Sequence, residues 1–147
     1  MVHKDTRQRI LITQRLTFLL IMFVAISGMA VDSKPEDQAR KSASEWLSEV
    51  DHGNYAESWD SAGTYLQHAN SKDVWLHKLD SMRKPLGKVV SRSPKSTKQD
   101  EGDPFFTTRR FRFEFNSSFA NRPKATETIT VGLEKSGSWK VCGYYIQ

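Results

Sequence analysis

From residue 105 to 116 the chain alternates without a break. Phe111, Phe113 and Phe115 take one parity, and Arg110, Arg112, Glu114 and Asn116 take the other. Side chains of an extended chain point to opposite faces in turn, so this stretch reads as a strand with one dry face and one wet face. Residues 126–134 repeat the pattern, with Ile129, Val131 and Leu133 against Thr128 and Thr130. Gly137 marks a hairpin turn over residues 135–138. Beyond it, strict alternation through 139–146 sets Trp139, Val141, Gly143 and Tyr145 on the core side and Lys140, Cys142, Tyr144 and Ile146 on the outer side. Residues 88–92 read as a further short strand. Residues 93–104 hold two prolines and a glycine but no aliphatic side chain, and so read as a mobile loop. Strands with one polar face exclude a doubly wound parallel sheet, whose strands are buried on both sides.

The preceding residues keep a different period. Ala39, Ala43, Trp46, Leu47 and Val50 fall on one helical stripe, with Ser33 as a cap, Pro35 in the first turn, Glu36 at capping-box spacing and Gly53 as the stop. A second, short helix is expected over residues 54–62, with Tyr55, Ala56 and Trp59 inward. A third runs from Asn70 or Ser71 to about Lys84, burying Val74, Trp75, Leu79 and Met82, and is broken by Pro85 and Gly87. Three amphipathic helices followed by four alternating strands predict an α+β domain, with the helices on one face of a curved four-stranded antiparallel sheet.

The first thirty residues stand apart. Lys4, Arg7, Arg9 and Arg15 form a basic start, residues 16–30 are uncharged and apolar, and Gly28 and Ala30 supply small residues at a signal-peptidase site. The expectation is a signal peptide over residues 1–30 and one domain over 31–147, exported to the periplasm or secreted. An uncleaved leader would tether the domain to a membrane, and no other membrane contact is expected. Without the leader, 18 basic side chains face 16 acidic ones, a net of +2 rather than +5. A near-neutral exported domain argues against nucleic-acid binding. Cys142 is the one cysteine, so no intrachain disulfide forms and the core must hold the fold.

Two charged residues share parity with the core side chains: Arg109 with the phenylalanines, and Glu127 with Ile129, Val131 and Leu133. A buried charge must be paired or must lie at a wet mouth. Arg92, Arg109 and Glu127 therefore form a candidate polar mouth to a pocket lined by Trp59 and Phe111, with Asp60 facing the same space; the structural alternative is an ion pair capping the core. Phe106, Arg110, Arg112, Tyr144 and Ile146 form the leading candidate set, a protein interface on the outer sheet face, with the polar mouth as a secondary site. His52, His68 and His77 with Asp73 and Asp80 fall short of the three or four convergent ligands a zinc site needs. No nucleophile turn, phosphate loop or dinucleotide glycine pattern is present. No cofactor, metal or catalytic residue is assigned.

Several blocks in order make the chain resemble a known family. They are Trp46, Asp51, Gly53, Tyr55 and Ser58-Trp59-Asp60; Pro85-Leu86-Gly87 and Ser91-Arg92; Phe115, Phe119 and Glu127-Thr128; and Trp139, Val141 and Gly143-Tyr144-Tyr145-Ile146. Their order and spacing resemble the bacterial family known as domain of unknown function 4019, over roughly residues 39–146. The resemblance implies a secreted or periplasmic protein and carries no catalytic residue. The helix-then-sheet order is similar to the cone-like folds of nuclear transport factor 2 and the cystatin group, which host many functions. The expected function is a non-enzymatic module that binds a partner protein, a second copy of itself or a small apolar ligand. The alternative is a cone-fold hydrolase or isomerase using Asp60 or Glu127 as general base. An inert structural role in the envelope is the third.

Overall fold

In the computed structural model, which describes residues 34–147, the helical stripe and the alternating strands meet across one core. The expected leader and the expected cap Ser33 lie outside the described residues. Helix α1 (Pro35–His52) begins on its proline, with Glu36 and Asp37 in the first turn, where carboxylates oppose the positive end of the helix dipole. Its buried residues are the five of the stripe. Gly53 ends it at φ 82°, a left-handed position that favours glycine, and the N–H groups of Gly53 and Asn54 cap the carbonyls of Val50 and Glu49.

Helix α2 (Tyr55–Asp60) is short, as expected, and α4 (Lys72–Arg83) is capped by the Ser71 hydroxyl, which accepts the Val74 N–H. Between them lies α3 (Thr64–Ala69), so the described residues hold four helices rather than three. Only Leu66 of α3 is buried, too little apolar signal to mark a helix in the sequence. In α4, Trp75 and Leu79 are buried as expected, but Val74 is 55% exposed. A 3₁₀ turn (Lys84–Leu86) then leads into the sheet.

Strands β1 (Val89–Glu101), β2 (Thr107–Phe119), β3 (Arg122–Glu134) and β4 (Trp139–Ile146) pair antiparallel in chain order. Residues 93–101, expected as part of a loop, instead continue β1, pairing as far as Glu101 with Arg109. This is an edge strand, so its ladder to β2 holds it without an apolar face. Cross-strand polar pairs add support: Arg112 to Asp100 at 3.2 Å and Ser96 to Glu114 at 3.0 Å. Pro94, Lys95 and the irregularity between Pro94 and Ser96 guard the open edge against strand addition.

The phase predicted for β2 and β3 holds through their centres, with Phe111, Phe113, Phe115, Ile129 and Val131 all buried. In β4 it does not. Val131 pairs with Val141 and Thr130 with Gly143, so Cys142 is an extra residue in a β-bulge. A bulge of one residue exchanges the faces beyond it. Tyr144 is therefore 3% exposed against Trp46, Ile146 packs on the core, and Tyr145 is the side chain that points out. Expecting Tyr144 and Ile146 on the outer face is corrected by that single inserted residue. Gly132 marks another close approach, since a Cβ there would stand 2.4 Å from Thr107 Cγ2.

Candidate functional site

At the end of the sheet that carries the β2–β3 turn, six side chains from six elements converge. Asp51 comes from the last turn of α1, Arg83 from the last turn of α4, Arg92 from β1, Ser117 from β2, Glu127 from β3 and Tyr144 from β4. The β ladder brings them together: Arg92 pairs with Ser117, and Glu127 pairs with Phe115 on one side and Ile146 on the other.

Glu127 is fully buried and accepts five hydrogen bonds. Its Oε1 receives Arg83 Nη1 at 3.3 Å, Arg92 Nη2 at 3.0 Å and the Tyr144 hydroxyl; its Oε2 receives Arg92 Nε and Ser117 Oγ, the latter at 2.8 Å. Asp51 bridges the same two guanidinium groups, taking Arg83 Nη2 at 2.9 Å and Arg92 Nη1 and Nη2 at 2.9 and 3.1 Å. Two arginines thus face two carboxylates, and formal charge cancels within the cluster.

The ionisation of the network follows from its geometry. Burial pulls the Arg83 guanidinium down, but Tyr144, Asp51 and Glu127 outweigh it and leave its pKa above the ordinary value. Arg92 behaves alike, with burial opposed by hydrogen bonds and charge from Asp51 and Glu127 and a net shift upward. Burial, reinforced by Glu127, holds the Tyr144 phenol well above its usual 10.0 against the opposing pull of Arg83. Tyr144 is therefore protonated, donating to Glu127 while accepting from Arg83 Nη1 at 2.9 Å. Arg83 also lies 4.9 Å from the centre of the Phe119 ring.

The sequence candidates divide. Arg92 and Glu127 meet as expected, joined by an ion pair. Arg109 does not join them: antiparallel register sets it opposite Leu133, six positions along β2 from the partner of Glu127, or about 20 Å at ~3.4 Å per residue. Near the start of β2, Arg109 is exposed despite its parity. Trp59 is partly buried elsewhere, donating to the Asn70 carbonyl at 2.9 Å, and Asp60 is exposed and paired with Lys72 at 2.6 Å. Phe111 packs in the core against Trp139 and Phe113. None of these four lines the cavity at the network. Of the outer-face set, Arg110 and Arg112 lie on that face, whereas Phe106 leaves it to pack against Tyr65 and His68 at 5.5 and 5.4 Å.

Asp51, Arg83, Ser117 and Tyr144 complete the network unforeseen. Two of them carried a sequence signal. Ser117 continues the parity of the three phenylalanines, and Arg83 follows Trp75 and Leu79 at helical spacing of four. Asp51 sits beside the α1 stripe at a helix end, where a carboxylate is ordinarily solvated. Tyr144 was hidden by the bulge.

The network opens on a cavity of about 290 Å³, lined by Ser44, Leu47, Ser48, His52 and Phe115 together with Asp51 and Arg92. Leu47 and Phe115 are the buried, apolar members of this lining. The side chains of Asp51 and Arg92 are each 18% exposed, so the edge of the ion network reaches the cavity. His52 Nδ1 lies 2.7 Å from the Ser48 carbonyl; a carbonyl only accepts, so Nδ1 carries the proton and Nε2 is the ring's free acceptor. A wider groove of about 730 Å³ runs between α1 and β4, where Lys41 and Glu45 form an exposed ion pair. Among the described residues no group of three His, Cys, Asp or Glu is placed to hold a metal ion.

Cys142, at the bulge, is a buried free thiol that burial pushes up from 9.0 to about 11. Because its folded pKa is raised, as is that of Tyr144, the folded state binds more protons than the unfolded one in alkaline solution. Stability from these shifts is fully present below pH 9 and falls as pH rises through the folded values. Each group contributes a slope of at most about 1.4 kcal/mol per pH unit. Urea denaturation from pH 8 to 11 is expected to show this decline, and a Cys142→Ala variant to delay its onset to the Tyr144 range.

No curated protein matches the chain. A solved structure from Catenulispora acidiphila, determined at 2.5 Å, is similar at 10% identity and a TM-score of 0.47, covering 76% of this chain and 89% of that one. A family model described as "Protein of unknown function (DUF4019)" matches residues 42–144, a span holding all six members of the ion network, and on that match the chain belongs to this family.

Proposed function

We propose that the protein is an exported, non-catalytic module that binds a small molecule at the cavity beside Asp51 and Arg92. The observation that carries this reading is the saturation of Glu127. A carboxylate offers about four lone-pair sites, and five donors already occupy them. A general base needs a free lone pair within reach of a substrate proton, and Glu127 has none to give. Asp60, the other carboxylate considered for that role, is exposed and paired with a lysine. Saturation also fixes Arg92 and Asp51 in place, so their exposed edges are pre-organised and lose little freedom on binding.

An interface on the outer sheet face has less support, because Tyr144 and Ile146 turn inward and Phe106 packs away from it. A partner-protein reading keeps one observation in its favour: Phe105 is 80% exposed and Tyr65 40% exposed at the β1–β2 hairpin end. Export rests on the leader read from the sequence.

A ligand-observed NMR screen of small polar fragments tests the primary reading. Hits should compete for one site and should vanish in a Ser44→Trp variant, whose indole fills the cavity from an exposed helix position while the fold remains. A screen without competing hits, or with hits indifferent to Ser44→Trp, would rule the cavity out as a binding site.

A further inference from the structure

We infer that the cavity accepts a neutral ligand rich in hydroxyl groups, of monosaccharide or small-polyol size. This rests on the preceding reading of the cavity as a binding site and adds the chemical class. The cavity volume of about 290 Å³ stands at the small end of ligand sites, which run roughly 300–1,000 Å³.

The class follows from how the wall is charged. An anion would approach Arg92, but three of that side chain's nitrogens already donate to Asp51 and Glu127, and the Asp51 carboxylate stands in the same wall. An anion could take only the one remaining Nη1 N–H, beside the Asp51 carboxylate that repels it, and drawing Arg92 further would leave Arg83 as the sole cationic partner of Asp51 and of the buried Glu127. A cation would approach Asp51, whose oxygens already accept three guanidinium N–H groups, and would meet Arg92 beside them. A charge of either sign is therefore repelled or must break the network.

A neutral ligand avoids both penalties, provided that it offers donors and acceptors side by side. Asp51 keeps one lone pair, on Oδ2, Arg92 Nη1 keeps one N–H beyond its bond to Asp51, and His52 Nε2 accepts. Ser44 and Ser48 carry hydroxyls that do either. The hydroxyl group matches such a wall, because it also gives and takes a hydrogen bond. The apolar pair Leu47 and Phe115 supplies a surface for the C–H face of a sugar ring or polyol chain. The cavity lining thus combines polar groups with an apolar pair, and the charges of Asp51 and Arg92 cancel.

Titration of the isotope-labelled protein with glucose, N-acetylglucosamine and glycerol, beside sodium sulfate and tetramethylammonium chloride, tests this. The backbone amides of Ser44, Leu47, Ser48 and His52 are the reporters. Saturable shifts of these amides are expected with at least one neutral probe at tens of millimolar or below, and with neither charged probe. The same titration of Ser44→Trp should shift nothing, and Ser48→Ala should weaken binding several-fold while its unfolding midpoint stays near that of the parent. Saturable shifts from sulfate or tetramethylammonium without any from the neutral probes would overturn the class while leaving the cavity a binding site. Silence from all five probes, together with cavity-specific hits in the fragment screen, overturns the class alone; silence in both overturns the site as well.

Discussion

Glu127→Ala is expected to lower folding stability by about 3–5 kcal/mol, the cost of breaking a buried ion pair by removing one partner. Globular domains are typically stable by about 5–15 kcal/mol, so such a loss would leave a substantial unfolded population on mild warming. Removal of this carboxylate strands four neighbours at once. Arg83 and Arg92 keep Asp51 as the one carboxylate of the network, while Ser117 Oγ and the Tyr144 hydroxyl lose their acceptor. Glu127→Gln should cost less, because an amide oxygen still accepts part of the set. Urea denaturation followed by tryptophan fluorescence measures both. A Glu127→Ala protein within about 1 kcal/mol of the parent would mean that water enters and solvates the arginines, contrary to the burial described.

Trp75→Ala is expected to produce a loss of similar size, about 3–5 kcal/mol. Trp75 is 1% exposed, lies 6.1 Å from Trp46 centre to centre, and donates its indole N–H to the buried Ser58 hydroxyl at 3.1 Å. Ser58 also accepts the Trp46 indole N–H on its backbone carbonyl at 2.7 Å, so one small residue of α2 ties two large ones from α1 and α4. The substitution opens a cavity where three helices meet and removes the one N–H that the buried Ser58 hydroxyl accepts, leaving its own bond to the Tyr55 carbonyl. Trp75→Phe keeps most of the volume and loses the hydrogen bond, so it should fall between parent and alanine variant. Thermal unfolding by circular dichroism gives the order. Equal midpoints for Trp75→Ala and the parent would show that the helices do not depend on this contact.

The two experiments probe different cohesion within one domain. Trp75 contributes chiefly apolar surface removed from water, which is nearly indifferent to its neighbours' charges. Glu127 contributes to specificity: α1, α4 and all four strands deliver a polar group to one network. A sheet slipped by one position in any strand would leave charges unpaired. That gives the network a structural role beside its place at the cavity wall, and it is why the binding tests use the exposed positions Ser44 and Ser48 rather than network members.

Local rules fixed α1, α4, the turn at Gly137 and the faces of β2 and β3, because each is written in a repeat that a helix or strand must obey. The inward placement of Glu127 and its meeting with Arg92 were also legible, from parity and the cost of an unpaired buried charge. The remainder depended on register. Whether residues 93–101 form a strand was decided by a neighbour offering a ladder, since an exposed edge needs no apolar signal of its own. The extra residue at Cys142 exchanged Tyr144 for Tyr145, and antiparallel pairing carried Arg109 to the far end of the sheet. Periodicity measures a residue against its chain neighbours, whereas a bulge or a pairing offset is set by strands far away in sequence, and so only the assembled sheet could place the site.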